Sequence, residues 1–517
     1  MGALMNDFPV ALKELHAAMP TWHGTVNADE FRAACAQVRA SGGRLMALWG
    51  TDERAHGKGF ALHVALSDSP GLICLTLPLS AEQPSYPSII DIFPAANRMQ
   101  RAVYDMLGIV AQDSPDQRKW LRHGAWPADA FPLRKEFDFK QQYPLVDDAY
   151  PFVTVTGIGV HEIPVGPVHA GTIEPGHFRF SIIGERVLRL EQRLGYKHKG
   201  IEKLAETMTI EQGAKLAGRV SGDSTVAYAW AYAMAAESLA NFTPEPRAVW
   251  LRALLLERER IANHLGDLGY LGNDVALAFG FAQFWILKED WLRGTQAVFG
   301  HRYMMDSIVP GGVTVDINAA DGIRLVEEGK ELERQVRILR DIYEEHAGAQ
   351  DRFVTTGQVK PDLAANLGLT GFAGRASAQA WDLRAQYPSA PYDQLDVRMA
   401  THRNGDVAAR VIVRFEEVFE SLRLMRLIIE RMPTGPIYSP LPAVAENAFG
   451  IGMVEGWRGE VLVALHSGKD NRIARLHPHD PSWQNWPLLE HAIIGNIVPD
   501  FPLINKSFNL SYTGQDL

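Results

Sequence analysis

Beyond Tyr150, three long stretches, Pro246 to Tyr270, Asp321 to His346 and Val407 to Met432, carry helical patterns. In the middle stretch Val326, Leu332, Val336, Leu339 and Tyr343 share one face, the spacing of an amphipathic helix. Pro246 suits a first helical turn, Asp406 can cap the last stretch, and Pro433 and Gly435 stop it. This part of the chain is therefore mainly α-helical.

The beginning of the chain has a different period. Up to about Leu79, short apolar runs (Leu45 to Trp49, Phe60 to Leu66, Leu72 to Leu77) alternate with turn-forming Gly, Asp and Ser, which predicts a small mixed sheet. After Pro94, Met99, Val103, Met106 and Leu107 recur at helical spacing and end at Gly108, a natural C-terminal cap. Trp126 to Tyr150 is rich in Pro, Asp and aromatics without periodicity, and reads as an extended connector. With 517 residues, too many for one core, the fold class is α+β. An N-terminal mixed α/β domain spans 1–140, a linker 141–150, and a mainly α-helical domain 151–517.

Composition removes whole classes of function. A net charge of -10 argues against nucleic acid as a partner. Cys35 and Cys74, the only cysteines, form no C-x-x-C pair, so thiolate zinc sites and cysteine-bound iron–sulfur clusters are excluded. The phosphate, dinucleotide, nucleophile-elbow and H-E-x-x-H motifs are all missing, and GFAGRAS (371–377) reads as a plain loop. No secretory signal is visible at the start. The most apolar windows, Val226 to Ala236 and Val275 to Leu287, fall short of the ~20 residues that span a bilayer, so membrane association is expected through partners.

What remains is a set of polar segments: GPVHAGTIEPGHFRF (166–180), GYKHKGIEK (195–203), GRVSGDSTVAYAWAYAMAAE (218–237), MMDSIVPGGV (304–313), VEGWRGE (454–460) and IVPDFPLINKSFNLSYTGQDL (497–517). In this order they resemble the large subunit shared by membrane-bound, energy-converting [NiFe]-hydrogenases, formate hydrogenlyase among them, and by the quinone-site subunit of complex I. The resemblance covers about Tyr150 to the C-terminus. Upstream, YPSIIDIFPAANRMQRAVYDMLGI (86–109) and HGAWPADAFPLRKEF (123–137) are similar to the small soluble complex I subunit that some relatives carry fused ahead of the large one.

The resemblance implies chemistry only where the residues match. Active hydrogenases bind nickel and iron through two C-x-x-C pairs; here those positions hold Ser221 and Ser224, then Ser511 and Gly514. Hydroxyls and a glycine cannot build a thiolate cage, so a nickel–iron centre is not expected, and packing or hydrogen-bonding roles are. Complex I holds a quinone headgroup between a His of a GPxHPxxHG loop and a Tyr. The Tyr position falls on Gly222, and the loop leaves His169 and His177 as candidate quinone contacts. Glu174 resembles the carboxylate that relays protons beside nickel, and Arg458 matches the Arg of the family's loop over the active-site ligands, with Trp457 in place of a Pro. Asp223 is new between the lost ligand positions, and as a buried carboxylate it would need a cation or hydrogen-bond donors. Glu174, Arg458 and Asp223 are the candidate catalytic residues. No tightly bound cofactor is expected; a quinone is the candidate ligand, and a [4Fe-4S] cluster is expected in a partner subunit.

Two functions follow from the resemblance. One is a subunit of a membrane-associated respiratory or energy-converting oxidoreductase, moving electrons from an adjacent iron–sulfur small subunit toward quinone or another acceptor. The other is a non-redox structural or proton-coupling subunit of such a complex. Either way the expected partners are the iron–sulfur subunit and antiporter-like membrane subunits, and the expected place is the cytoplasmic face of the inner membrane, as a peripheral protein.

Overall fold

The computed structural model describes residues 8–517 other than 70, 125, 148, 171 and 172. The N-terminal part is built on a five-stranded mixed sheet of β1 (Lys13–Glu14), β2 (Thr21–Thr25), β3 (Arg44–Asp52), β4 (Phe60–Asp68) and β5 (Gly71–Leu79), ordered β1-β2-β5-β4-β3. β3, β4 and β5 form an antiparallel meander, and β2 joins β5 in parallel. The helix α1 (Ala28–Ala40) starts at a capping box: Asn27 accepts from the Glu30 amide while Glu30 reaches back to the Asn27 N–H. The helix expected after Pro94 is α2 (Ala96–Leu107), ended by Gly108 at φ 74°.

Every residue of β4 is buried, because both faces of the sheet are covered. Leu62, Val64 and Leu66 pack in one core with Phe31 and Val38 of α1 and Met99 and Val103 of α2. On the opposite face Met46, Trp49, Ala65 and Cys74 meet Ile451, Met453 and Leu462 from the far end of the chain. The alternation of β4 between two apolar faces is the reason it reads as a continuous apolar run. β6 (Ser85–Pro87) pairs in parallel with β7 (Val110–Gln112), and among the described residues no helix or strand lies between Gln112 and Val160.

The C-terminal part contains the long helices α3 (Thr225–Leu239), α4 (Pro246–Asp274), α5 (Ala278–Phe299), α6 (Ala319–Glu345) and α8 (Val407–Arg431). It also contains two three-stranded antiparallel sheets that helical periodicity does not announce. One consists of β8 (Val160–Val165), β9 (His177–Ile183) and β10 (Arg186–Arg193). The other consists of β13 (Phe449–Glu455), β14 (Glu460–Ser467) and β15 (Ile473–His479), with the small pair β11 (Ile308–Val309) and β12 (Gly312–Val313) between them in sequence. α3 is buried along its whole length. It lies so close on β13 that a Cβ at Gly452 would come within 2.2 Å of the Ala231 carbonyl oxygen. No described helix is long and apolar enough to cross a membrane.

The GFAGRAS segment corrects the loop expected there. It forms α7 (Gly371–Ala376), with every residue buried. Gly371 has φ 65°, and a Cβ there would sit 1.8 Å from the Arg458 carbonyl oxygen. Both glycines of this segment serve backbone proximity: Gly374 approaches the Leu369 carbonyl, and the backbone Gly371 approaches belongs to a candidate site residue.

Candidate functional site

The site forms where the start of α3 meets the end of the chain. Ser221 precedes the turn Gly222–Ser224 that leads into α3. Ser511 caps the short helix α11 (Tyr512–Asp516), accepting from the Gly514 N–H at 2.8 Å; α9 (Ser482–Ala492) and α10 (Phe501–Phe508) bring it there. The two serines, 290 residues apart in sequence, meet with their hydroxyl oxygens at 3.1 Å. All four positions of the lost C-x-x-C pairs thus converge, as the spacing of the motifs requires.

The space between them is filled by charge. The Arg458 guanidinium grips Asp223 with both terminal nitrogens, at 2.8 and 2.5 Å, and donates from Nε to the Asn509 carbonyl at 2.6 Å. It stacks on its neighbour Trp457, 4.0 Å from the ring centroid, while the Trp457 indole N–H reaches the Asp223 carbonyl and the Ser224 hydroxyl. Ser221 donates to Asp223 at 2.8 Å. Asp223 is not the buried carboxylate expected from the sequence, because its side chain is 38% exposed; what desolvation it has raises its carboxyl, and the Arg458 charge and these hydrogen bonds outweigh that and hold it at about 2. Asp223 is therefore an anion throughout the physiological range.

Beside Gly514 stands Asp480, which accepts from the Tyr228 hydroxyl at 2.7 Å and the Ser482 amide at 2.8 Å. A Cβ on residue 514 would lie 2.3 Å from its Oδ2. Glu174 joins from the other side, its carboxylate accepting from the Thr513 N–H at 3.2 Å. His169 lies with its ring 6.4 Å from that of Tyr512, and its Nε2 is buried with no hydrogen-bond partner among the described residues. His177 points elsewhere: its nitrogens face the Gly166 carbonyl and the Arg179 side chain, and its ring packs on Phe152. Of the five expected residues, Asp223 and Arg458 touch, Glu174 and His169 flank α11, and His177 shares none of these contacts.

Under this site lies a buried charge network. Arg414 pairs with Asp267 at 2.9 Å, and Asp267 also meets Lys506 at 3.4 Å. His264 and Arg375 share Glu417, at 2.8 and 2.6 Å. Arg375 also holds Glu455, and Arg384 joins Asp382 to Glu257. Beside Asp223 a cavity of about 350 Å³ opens, lined also by Glu259, Asn263, Lys288, Arg302 and Tyr303.

Both parts of the chain are similar to known proteins. Two family models fit, the 30 Kd subunit of respiratory-chain NADH dehydrogenase over residues 24–143 and its 49 Kd subunit over 274–448. Formate hydrogenlyase subunit 5 of Escherichia coli (strain K12) is 31% identical over 483 residues, covering 92% of this chain and 85% of that protein. The chain belongs to the family of fused 30 kDa and 49 kDa complex I-type subunits. Within this family, hydrogenase-4 component G of the same organism is 31% identical over 92% of the chain and 84% of its own length. The fused C/D subunit of NADH-quinone oxidoreductase from Bacteroides thetaiotaomicron is 29% identical over 82% of this chain and 84% of its own. A chain of the membrane-bound sulfane sulfur reductase, an archaeal respiratory membrane complex, shares the fold with a TM-score of 0.66 at 24% identity, covering 70% of this chain and all of that one.

A nickel–iron centre of the hydrogenase members does not fit these residues. Two of its four ligand positions are serines hydrogen-bonded to each other, a third donates nothing softer than a hydroxyl held by Trp457 and Arg458, and the fourth has no side chain and no room for one. Elsewhere, among the described residues, no group of three His, Cys, Asp or Glu converges to hold a metal. Sequence reading missed Asp480, Glu259 and the buried network. Asp480 is a lone Asp in HPHDPSW and gives no signal.

Proposed function

We propose that the chain is the large subunit of a membrane-associated oxidoreductase complex of the complex I and hydrogenase type. In this reading it receives electrons from a [4Fe-4S] cluster in an adjacent small subunit and passes them to a quinone or another acceptor, without nickel–iron chemistry of its own. The observation that carries this is the convergence of Ser221, Ser224, Ser511 and Gly514 on one place that now holds an Asp223–Arg458 ion pair. The family's reaction centre is retained as a shaped, charged site, while the ligand set that defines a hydrogenase is gone.

The residues then divide the work. His169, whose Nε2 has no partner among the described residues, supplies a donor to a quinone carbonyl, and His177 steadies the loop through Gly166. Reducing a quinone to a quinol takes up two electrons and two protons. Arg458 supplies positive charge beside the oxygens that become anionic as electrons arrive, Asp223 holds that guanidinium in place, and Glu174 stands at α11 to pass protons. The 1–140 domain and the helical 151–517 domain, joined through 141–150, act as one body sharing a core across the N-terminal sheet and β13–β15. This reading puts the complex on the cytoplasmic face of the inner membrane, with antiporter-like membrane subunits as further partners.

The test is purification of the tagged chain after mild detergent extraction, followed by reduction of a soluble quinone. Recovery with an iron–sulfur subunit and membrane subunits, and quinone reduction that falls at least tenfold in Arg458→Leu, is expected. A partner-free monomer, or turnover indifferent to Arg458→Leu, overturns the reading.

A further inference from the structure

The cavity beside Asp223 lies outside the contacts that fix Arg458. It is lined by two carboxylates with opposite surroundings. Asp223 has Arg458 and the Ser221 hydroxyl. Glu259, 5% exposed, has no ion-pair partner among the described residues: its oxygens accept only the Val226 and Ala227 amides at 2.7 and 3.2 Å, in the first turn of α3. The cations that face it are engaged or distant from its oxygens. Arg258 is bound to Glu328, Arg302 to Glu289, Lys288 lies over Trp285, and Arg260 on the same helix is turned to Glu257 and the Glu455 and Gly456 carbonyls.

We propose that this cavity is the proton entry of the site and that Glu259 is the group that loads a proton from it. The proposal rests on the oxidoreductase reading for what the proton is used for, but not for its existence. Glu259 takes a proton from water in the cavity, forming one O–H bond as one O–H bond of the water breaks, and returns it through that water to the acceptor when the acceptor is reduced. Asp223 keeps its charge throughout: Arg458 and the Ser221 hydroxyl, itself 3.1 Å from the Ser511 hydroxyl, hold it as an anion beside the cavity.

Two observations support the assignment. The cavity of about 350 Å³ has room for several waters, and Asp223, Glu259, Asn263 and Lys288 among its lining residues offer polar partners to hold them. And burial, with the Asp223 charge adding to it, pushes the Glu259 carboxyl up to about 8 against its two amide donors, while Asp223 stays ionised. Paired acids whose surroundings drive them apart in this way are the usual arrangement of a proton donor and a fixed anion.

Difference infrared spectroscopy on the full chain tests the proposal without partners or an electron donor, so failure of the oxidoreductase reading leaves the outcome readable. A carboxylic-acid C=O band is expected to titrate near pH 8, to disappear in Glu259→Gln, and to shift in D2O within the time of buffer exchange. Asp223→Asn should lower the titration midpoint. Ala262→Phe, which narrows the cavity, should keep the band and slow its deuterium shift at least tenfold. A band that persists in Glu259→Gln, a midpoint unmoved by Asp223→Asn, or deuterium exchange as fast in Ala262→Phe as in the parent would overturn it.

Discussion

The closure of the old ligand position at Gly514 can be measured by adding a single methyl group. In Gly514→Ala the new Cβ would stand 2.3 Å from Asp480 Oδ2, 2.6 Å from its Cγ and 2.9 Å from the Ser511 hydroxyl. Gly514 has an ordinary helical backbone, so the effect is packing and not dihedral strain. Asp480 must retreat by on the order of 1 Å to reach normal contact. It cannot do so freely, because Tyr228 and the Ser482 amide hold both of its oxygens. Overpacking of a core costs about 1–3 kcal/mol. Stranding the buried Tyr228 hydroxyl adds about 1–3 kcal/mol. The better helix propensity of Ala returns about 1 kcal/mol. The expected net loss is about 3 kcal/mol, read as a lower urea midpoint with the slope unchanged. If Asp480 is the cause, Asp480→Ala in the same chain should relieve part of it, with a coupling energy of about 1–3 kcal/mol. A Gly514→Ala chain within about 0.5 kcal/mol of the parent, or full additivity with Asp480→Ala, would refute the argument.

The same steric argument predicts that cysteines restored at 221, 224, 511 and 514 together will not take up stoichiometric nickel while Asp480 stays; elemental analysis of the purified variant checks this. Gly371→Ala combines a left-handed backbone with a contact on the Arg458 carbonyl, so a loss of about 2–5 kcal/mol is expected, visible in urea unfolding and absent for Gly42→Ala scaled to its backbone strain alone, since nothing crowds residue 42. Arg384→Met leaves Asp382 and Glu257 buried without their shared cation and should cost about 3–5 kcal/mol, again by urea unfolding; a change below about 1 kcal/mol would mean the network does not need it. His466 and His479 are pushed down to about 3, first by burial, then by Arg475 and His477 respectively. Below pH 6.5 the unfolded chain takes up protons at these sites and the folded chain does not, so stability is full above pH 6.5 and falls as pH drops toward 3, by about 1.4 kcal/mol per pH unit for each site. In His466→Gln the slope of stability against pH between 6 and 4 should lessen by one such contribution; an unchanged slope would show that His466 titrates normally.

Period and punctuation make much of the fold legible. The Met99 to Leu107 spacing with Gly108 appears as α2 and its cap, and Asp406 caps α8 by accepting from the Ala409 amide. The sheets β8–β10 and β13–β15 are hidden for two reasons. HFRFSII lies inside a segment whose polar residues point to chemistry before structure, and β13 carries Gly450 and Gly452, poor strand formers whose place is set by the approach of α3. The convergence of Ser221 and Ser511 is readable because it follows from paired motifs. The buried network does leave a signal in the sequence, a periodic one. Glu257, Arg260, His264 and Asp267 recur at intervals of three and four along α4, as do Arg410, Arg414, Glu417 and Ser421 along α8, both at the period of an apolar stripe. Charges at that period on two long helices are expected to face one another, and His264 with Glu417, Arg414 with Asp267, and Ser421 with Glu257 do.

Asp223 and the lost thiolates are best understood as one change. Arg458, 5% exposed, is a guanidinium that the fold places against the old ligand positions, held there by the Asn509 carbonyl, by Trp457 and by the backbone contact with α7. A buried cation of this kind needs an anion. In a thiolate cage the ligands themselves carry negative charge; Ser221, Ser224, Ser511 and Gly514 carry none. If the thiolates were lost and nothing else changed, Arg458 would be stranded in a pocket of neutral hydroxyls. Asp223, two residues from Ser221 and one from Ser224, restores the charge within hydrogen-bond reach of both Arg458 nitrogens and of Ser221. The pocket is electrostatically balanced without metal ligands, and the carboxylate that balances it lines the cavity with Glu259. An arginine paired with a matched acid, at positions that carry no thiolate, suits the proposed chemistry of protons and anionic oxygens better than one of metal ligation.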